Sequence, residues 1–426
     1  MPAPRGRKRG STATPVANKG GADSQPAKRT KIYHRSHQKL SGTVLACGEG
    51  DVGQLGMGEN ILDRTKPGKV ALPSPVIQAV AGGMHTVCLL ENGEIYTFGC
   101  NDDGALGHDT SEDGSEMSPA KVENLGAKII MVSAGDSHTA ALADDGRVYI
   151  WGAFRDANGM MGMLAAGKTE NTPVPILEDK TIVKIASGGD FLVCLSDAGE
   201  IFTLGCAEQG QLGRVAECFS QRGGRKGLDL ILLPGEVHFK KSKGSKRKFS
   251  DIWVSTYSTY AQVADTNEIY AWGLNNYYQL GINDLSNRFV PTRVPSFDGK
   301  EWLSISGGQH HLVALDSEGK VYTLGRGTYG QLGLGEDVKA EIAKPTVNEK
   351  LNNKCVCIAT GSAVSFAIDE QGICYGWGMG TSKQLAQTED DDCFEPTILQ
   401  GKQLENKKTI AVSSGGQHTV LLVTDK

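Results

Sequence analysis

The sequence predicts an all-β fold: a seven-bladed β-propeller closed by pairing of its N- and C-terminal strands, preceded by a disordered basic tail. Three observations predict it. First, a strand ending in Gly, followed by a Leu-Gly turn, recurs seven times, anchored at Gly48, Gly99, Gly152, Gly205, Gly273, Gly325 and Gly378. Subtracting residue numbers gives spacings of 51, 53, 53, 68, 52 and 53, the period of one four-stranded blade. Second, the first copy begins halfway, at residues 43–48, and the last stops halfway, at 414–422. Each half supplies what the other lacks, and pairing them leaves no free sheet edge. Third, the chain holds 55 glycines. Repeated tight turns need positive φ, and crowding near an axis tolerates no Cβ.

Each copy has two parts. Gly82-Gly83-Met84-His85 opens an apolar strand, and Glu91-Asn92-Gly93 turns the chain into residues 94–99, a hairpin pattern. Cys100-Asn101-Asp102-Asp103-Gly104-Ala105-Leu106-Gly107 follows, with versions at Gly53-Gln54-Leu55-Gly56, Gly210-Gln211-Leu212-Gly213 and Gly330-Gln331-Leu332-Gly333. The Gly-Gly-x-His slot is read as holding His85, His138, His310 and His418. Equivalent positions on different blades are too far apart to share an ion, so no metal or cofactor is expected. His85, His138 and His418 are expected to hydrogen-bond the backbone of a neighbouring blade. Two slots carry an acid at the turn, Asp136 and Asp190, in adjacent copies.

Two copies are irregular. After Trp151-Gly152 the Gly-Gln-Leu-Gly pattern gives way to residues 153–162, where Asn158-Gly159 signals a short protruding hairpin. Exposed Met160 and Met161 would suit an adaptable contact there, with a packed blade strand as the equal alternative. The spacing of 68 marks an insertion at about residues 214–250, carrying Arg222, Arg225 and Lys226, then Lys240, Lys241, Lys243, Lys246, Arg247 and Lys248. Insertions in repeat proteins fall on surface loops.

The formal charge of −5 conceals a division. Residues 1–41 carry +9 and residues 222–249 carry +7, leaving −21 on the rest. An acidic ring with two basic appendages suggests two partners of opposite charge. Residues 1–40 are read as a disordered tail and 41–426 as the propeller. The tail clusters are Arg5, Arg7, Lys8 and Arg9, then Lys28, Arg29 and Lys31, suited to nuclear import or to phosphate contact. The 10 cysteines include no Cys-x-x-Cys pair and read as buried small residues in a reducing compartment. No apolar run is long enough to cross a membrane.

The propeller, over about residues 40–424, resembles the regulator of chromosome condensation family. The resemblance rests on Gly50-Asp51-Val52-Gly53-Gln54-Leu55-Gly56, Ala81-Gly82-Gly83-Met84-His85-Thr86-Val87-Cys88-Leu89, Ser133-Ala134-Gly135-Asp136-Ser137-His138-Thr139-Ala140, Gly307-Gly308-Gln309-His310-His311 and residues 413–423. It implies a guanine-nucleotide exchange factor for the small GTPase Ran, without covalent chemistry. Asp136, Asp190 and His310 would be the exchange residues. Asp51, Arg155, Asp156, Asn158 and Gly159 would meet the GTPase, the last four on a wedge. Arg222, Arg225 and Lys226 would reach the histone acidic patch of a nucleosome. The tail and residues 240–248 would reach DNA, and importins would read the tail. A nuclear, chromatin-bound protein follows, with no membrane partner. The rival is a propeller of the same repeat that only binds partners; the wedge and the rim aspartates favour exchange. No nucleophile–base constellation supports hydrolase or transferase chemistry.

Overall fold

The computed structural model describes residues 31–220, 227–239, 247–338, 340–387 and 391–426. Seven four-stranded antiparallel sheets follow one another around an axis. The first blade is Val76–Ala81, His85–Leu90, Ile95–Gly99 and Ala120–Lys121, and the next five repeat this order. The seventh joins the chain ends: Lys407–Ser414 and His418–Asp425 pair with Thr43–Glu49 and Asp63–Lys69. Thr43 faces Val423 and Gly48 faces His418 across that seam. The expected closure is the observed one.

Burial follows from the stacking of sheets. The second strand of a blade is central in its sheet and covered on both faces by neighbouring blades. His85–Leu90, Phe191–Ser196 and His311–Asp316 are accordingly buried at every position. The outermost strand has solvent on one side, and Arg288–Arg293 buries no residue.

The anchor glycines are dictated by this geometry. All seven adopt positive φ, between 98° and 115°. A Cβ on Gly152 would sit 2.3 Å from Ser137 O, and one on Gly205 would sit 2.4 Å from Asp190 O. Both clashes are with backbone, which has nowhere to move.

Backbone hydrogen bonds close the ring at the axis. Gly83 N donates to Gly135 O, Asp136 N to Gly189 O, Gly189 N to Thr256 O and Thr256 N to Gly308 O. Gln309 N donates to Ser362 O, Ser362 N to Gly415 O and Gly416 N back to Gly83 O. The circuit makes one bond across each blade junction.

Side chains repeat the stitching further out. Thr139 Oγ1 and Trp151 Nε1 both donate to Ala105 O, each at 2.8 Å. Thr259 and Trp272 do the same to Gln211 O, and Ser365 and Trp377 to Gln331 O. The slot histidines complete the relay. His85 Nε2 lies 2.9 Å from Thr139 Oγ1, whose single proton already goes to Ala105 O. Nε2 therefore carries the imidazole proton and donates. His418 with Thr86 and His311 with Ser365 follow suit. The partner is thus a hydroxyl of the next blade rather than its backbone.

Two expectations change here. His311, not His310, occupies the buried slot: Gly308 N bonds His311 O as Gly82 N bonds His85 O. His138 finds no partner for either ring nitrogen among the described residues. The residue at the hydroxyl position of the following blade is Leu192, and His138 packs edge-on against Phe154 with ring centroids 4.7 Å apart.

The structure also attaches residues 31–40 to the propeller, ten residues before the expected start. Arg35 Nε donates to Asp251 Oδ2 at 2.7 Å and Arg35 Nη2 to Gln262 Oε1 at 3.0 Å. His37 Nε2 donates to Val183 O and His34 Nε2 to Ser250 O. Beneath them Lys184 Nζ meets Asp251 Oδ1 at 2.6 Å, and both side chains are buried. Burial works against the Asp251 carboxylate, yet Lys184, His34 and Arg35 together hold it below its usual range. Ile32 N donates to Asp144 O. This strap crosses the end of the ring where the inner strands begin.

Candidate functional site

The opposite end of the ring carries the slot turns and the Leu-Gly loops. The third slot position points onto this face and holds Met84, Ser137, Asp190, Tyr257, His310, Ala363 and Gln417. Asp136 lies one position earlier, in the hydrogen-bonded circuit at the axis. The two aspartates are therefore not repeat-equivalent, yet the turn geometry brings them together. A Cβ on Gly189 would lie 3.1 Å from Asp136 Oδ2, so the Asp136 carboxylate overhangs the residue before Asp190.

Their charges interact. Burial, then Asp136, pushes the Asp190 carboxyl up to about 7. Asp136 stands in the mouth of the central channel, open to solvent above but walled by neighbouring turns, and burial raises it as well. Tyr257 faces both aspartates, and burial followed by their charge raises its phenol.

The expected hairpin rises beside this pair. Phe154–Asp156 pairs with Gly159–Met163, which pairs with Ala165–Ala166. Its turn is Ala157-Asn158 rather than Asn158-Gly159, because Asp156 pairs with Gly159. Gly159, at φ 105°, opens the returning strand. Asn158 N donates to Asp156 Oδ1 at 2.8 Å, tightening the turn. Of the two methionines, Met161 is buried, as the packed alternative has it, and Met160 is half-buried. Met161 and Met163 instead form the hairpin's root with Phe154, Leu228 and Leu232. Arg155, Ala157 and Asn158 are the exposed part.

Three acids from two neighbouring blades hold the hairpin upright. Asp190 Oδ1 accepts the Arg155 amide at 2.7 Å, Asp103 Oδ2 accepts Arg155 Nη1 at 2.6 Å, and Glu208 Oε2 accepts the Ala157 amide at 3.3 Å. Asp103 and Glu208 were not expected from the sequence. Both lie in the loop after an anchor glycine, so a repeat alignment would have placed them on this face. Asp51, exposed, occupies the position equivalent to Asp102 and Glu208. His310 stands across the channel, half-buried, its ring centroid 4.9 Å from that of Tyr277. Burial, then Arg326, lowers its pKa.

The insertion flanks the hairpin. Arg214 Nη2 donates to Thr203 O and Leu233 O, which ties Leu228–Leu232 to the blade. Between them and the hairpin lies a groove of about 470 Å³ lined by Asp156, Met161, Glu208 and Phe219. Arg222, Arg225, Lys226, Lys240, Lys241, Lys243 and Lys246 lie outside the described residues, as do the tail residues before Lys31. Of the remaining basic positions, Arg247 pairs with Glu268 at 3.2 Å and stacks on Tyr270, Lys248 is exposed, and Lys31 meets Asp144 at 3.5 Å.

The seven-bladed ring is that of an RCC1-like domain, whose family model matches residues 43–421. The chain belongs to the regulator of chromosome condensation family. It is 52% identical to the Regulator of chromosome condensation of Homo sapiens over 95% of this chain and 96% of that one. It is 30% identical to the Guanine nucleotide exchange factor SRM1 of Saccharomyces cerevisiae, covering 88% of this chain and 86% of the relative. The crystal structure of Prp20p from Saccharomyces cerevisiae, reported with its binding properties to Gsp1p and histones, superposes with a TM-score of 0.82 at 27% identity. It covers 92% of this chain and 93% of that one.

Proposed function

We infer that this chain is a guanine-nucleotide exchange factor for Ran that works on chromatin. The observation that carries the reading is the hairpin: a short, rigid projection held by Asp190, Asp103 and Glu208 beside a carboxyl-lined channel mouth. Kinship with a named exchange factor and with a Gsp1p- and histone-binding propeller supports it. The catalyst makes and breaks no covalent bond. Its face docks on the GTPase, and the hairpin, with Arg155, Asp156, Asn158 and Gly159, presses on the nucleotide-binding region. Acceleration requires only that the nucleotide-free state bind better than the loaded one. Linkage makes the effect reciprocal, so free nucleotide displaces the propeller in turn. Exchange runs both ways, and the nucleotide in excess sets the product.

In this reading Asp190 positions the hairpin, Asp136 supplies the adjoining carboxyl, and His310 and Asp51 contact the GTPase. Arg222, Arg225 and Lys226 reach the histone acidic patch, where a guanidinium fork suits carboxylates. Arg5, Arg7, Lys8, Arg9, Lys28, Arg29 and Lys31, with Lys240–Lys248, reach DNA phosphates, and importins read the tail. The protein is nuclear. Immobilised chain should retain nucleotide-stripped Ran far more tightly than GDP- or GTP-loaded Ran, and should ignore other small GTPases. Equal retention of stripped and loaded Ran would sink the exchange reading and leave a binding module.

A further inference from the structure

The exchange face is chemically divided. On the side of the hairpin, the loops after the anchor glycines present Asp51, Asp102, Asp103 and Glu208. Across the channel the equivalent loops present Asn276, Tyr277, Thr328 and Tyr329. Directly after the anchor glycine, where other blades have Glu49, Cys100, Ala153, Cys206, Leu274 and Met379, the fifth blade has Arg326.

Arg326 is held in place. Its amide donates to His310 O at 2.9 Å, and its Nε donates to Thr328 Oγ1 at 3.1 Å. The guanidinium carbon lies 5.1 Å from the Tyr277 ring centroid and 4.9 Å from that of Tyr329. Tyr277 also meets His310, with ring centroids 4.9 Å apart and the planes tilted by 57°, so Tyr329, Arg326, Tyr277 and His310 form one cluster. These contacts hold the guanidinium in place while leaving its two terminal nitrogens without a protein acceptor among the described residues.

The contrast with Arg155 is decisive. Arg155 is neutralised at 2.6 Å by Asp103. Arg326 makes no ion pair with any described carboxylate, although the ring around it is strongly acidic. A cation that is half-buried, oriented and uncompensated is ready for an anion from outside. A pre-set fork also loses little freedom when it binds.

We propose that Arg326, clamped between Tyr277 and Tyr329, is a docking residue that receives a carboxylate on the surface of the GTPase. The proposal rests on the exchange reading and assigns a residue to it that acts in docking rather than in nucleotide expulsion. The acidic half of the face then binds a basic region of the partner and Arg326 an acidic one. The two contacts together fix the rotational setting in which the hairpin meets the nucleotide.

The test is steady-state release of labelled GDP from Ran, measured over a range of salt, with R326Q, R326K and R293Q. Arg293 is already paired with Glu268 and Asp298, so R293Q removes the same charge from a site without a docking role. Loss of one charge-assisted contact predicts that R326Q raises KM roughly 10- to 100-fold with kcat little changed. Its kcat/KM should also depend less on salt than that of the wild type. R326K keeps the charge but not the planar fork, so it should raise KM less and keep the wild-type salt dependence. R293Q should behave as wild type. An unchanged KM in R326Q, a fall in kcat alone, or an equal effect from R293Q would each overturn the proposal. If R326Q melts below the assay temperature, R326K decides: a raised KM supports the proposal and a wild-type KM overturns it. An inert wild type overturns the exchange reading and the proposal together. An active wild type with an indifferent R326Q overturns the proposal alone.

Discussion

The amide of Arg155 donates to Asp190 Oδ1 across a blade junction, at 2.7 Å. This contact joins the base of the hairpin to the acid beside the channel mouth. It gives Asp190 a task that does not require touching the GTPase. An Asn at this position keeps the accepting Oδ1, whereas Ala leaves the Arg155 amide without it. D190A should therefore reduce kcat by roughly 5- to 100-fold, the range for losing a hydrogen bond to a charged or buried group. D190N should retain most of the activity. GDP-release kinetics on both variants, with melting curves as a folding control, check this. Equal loss in both would show that the charge matters and the anchor does not.

The same residue makes stability depend on pH. The native carboxyl is raised to about 7, from an ordinary value of 3.8. Between those values the folded chain holds a proton that the unfolded chain has released. Stability therefore falls as pH rises through that window. D190N has no proton to lose, so its melting temperature relative to wild type should climb from pH 5 to pH 8. A constant difference would mean that Asp190 titrates at its ordinary value.

The buried imidazoles act in the opposite direction. His138, His311 and His418 are lowered to about 3 and His85 to about 4, in each case chiefly by burial. The unfolded chain binds these protons from about 6.5 downward and the folded ring does not. Each pH unit below 6.5 then removes about 1.4 kcal/mol per ring. His138 is the one to replace, because it has no hydrogen bond to lose and Phe191 occupies the equivalent slot in the next blade. H138F should match or exceed the wild-type melting temperature at pH 7 and show a shallower loss between pH 6 and pH 4. A strongly destabilised H138F at pH 7 would mean that the ring makes a contact its neighbours do not reveal.

The strap separates two truncations. Removing residues 1–30 should leave exchange on soluble Ran and the melting temperature unchanged, while weakening nucleosome binding and lowering its salt dependence. Removing residues 1–40 also takes away Arg35 and His34, which with Lys184 surround buried Asp251, and should lower the melting temperature. D251A should do more damage, about 3–5 kcal/mol, because it leaves Lys184 buried and unpaired. Chemical denaturation of the three proteins orders them. Equal stability of the two truncations would remove the strap from the fold.

The propeller was legible because each blade needs the same glycine for the same backbone clash, so seven local signals agree. The hairpin was legible because it interrupts that agreement. Its turn was misread by one residue: Asn-Gly is a strong local signal, but pairing of Asp156 with Gly159 moved the corner to Ala157-Asn158. His310 was placed in the slot of His311 because Gly307 precedes Gly308 and offers a second Gly-Gly-x-His register. The hydrogen bond from Gly308 N to His311 O and the contact of the His311 ring with Ser365 separate the two. The strap could not be read from composition, since its basic residues look like tail until Asp251, some two hundred residues later, is folded against Arg35. Asp103 and Glu208 were not legible for the same reason, because the groups they hold, on Arg155 and Ala157, belong to another blade.

The most direct test of the central claim is the rate of labelled GDP release from Ran as the concentration of this chain is raised. The rate should climb well above spontaneous release and saturate, whether GTP or GDP is in excess. D190A should saturate at a lower plateau. Release that stays at the spontaneous rate at every concentration, despite binding of Ran to the propeller, would contradict that claim.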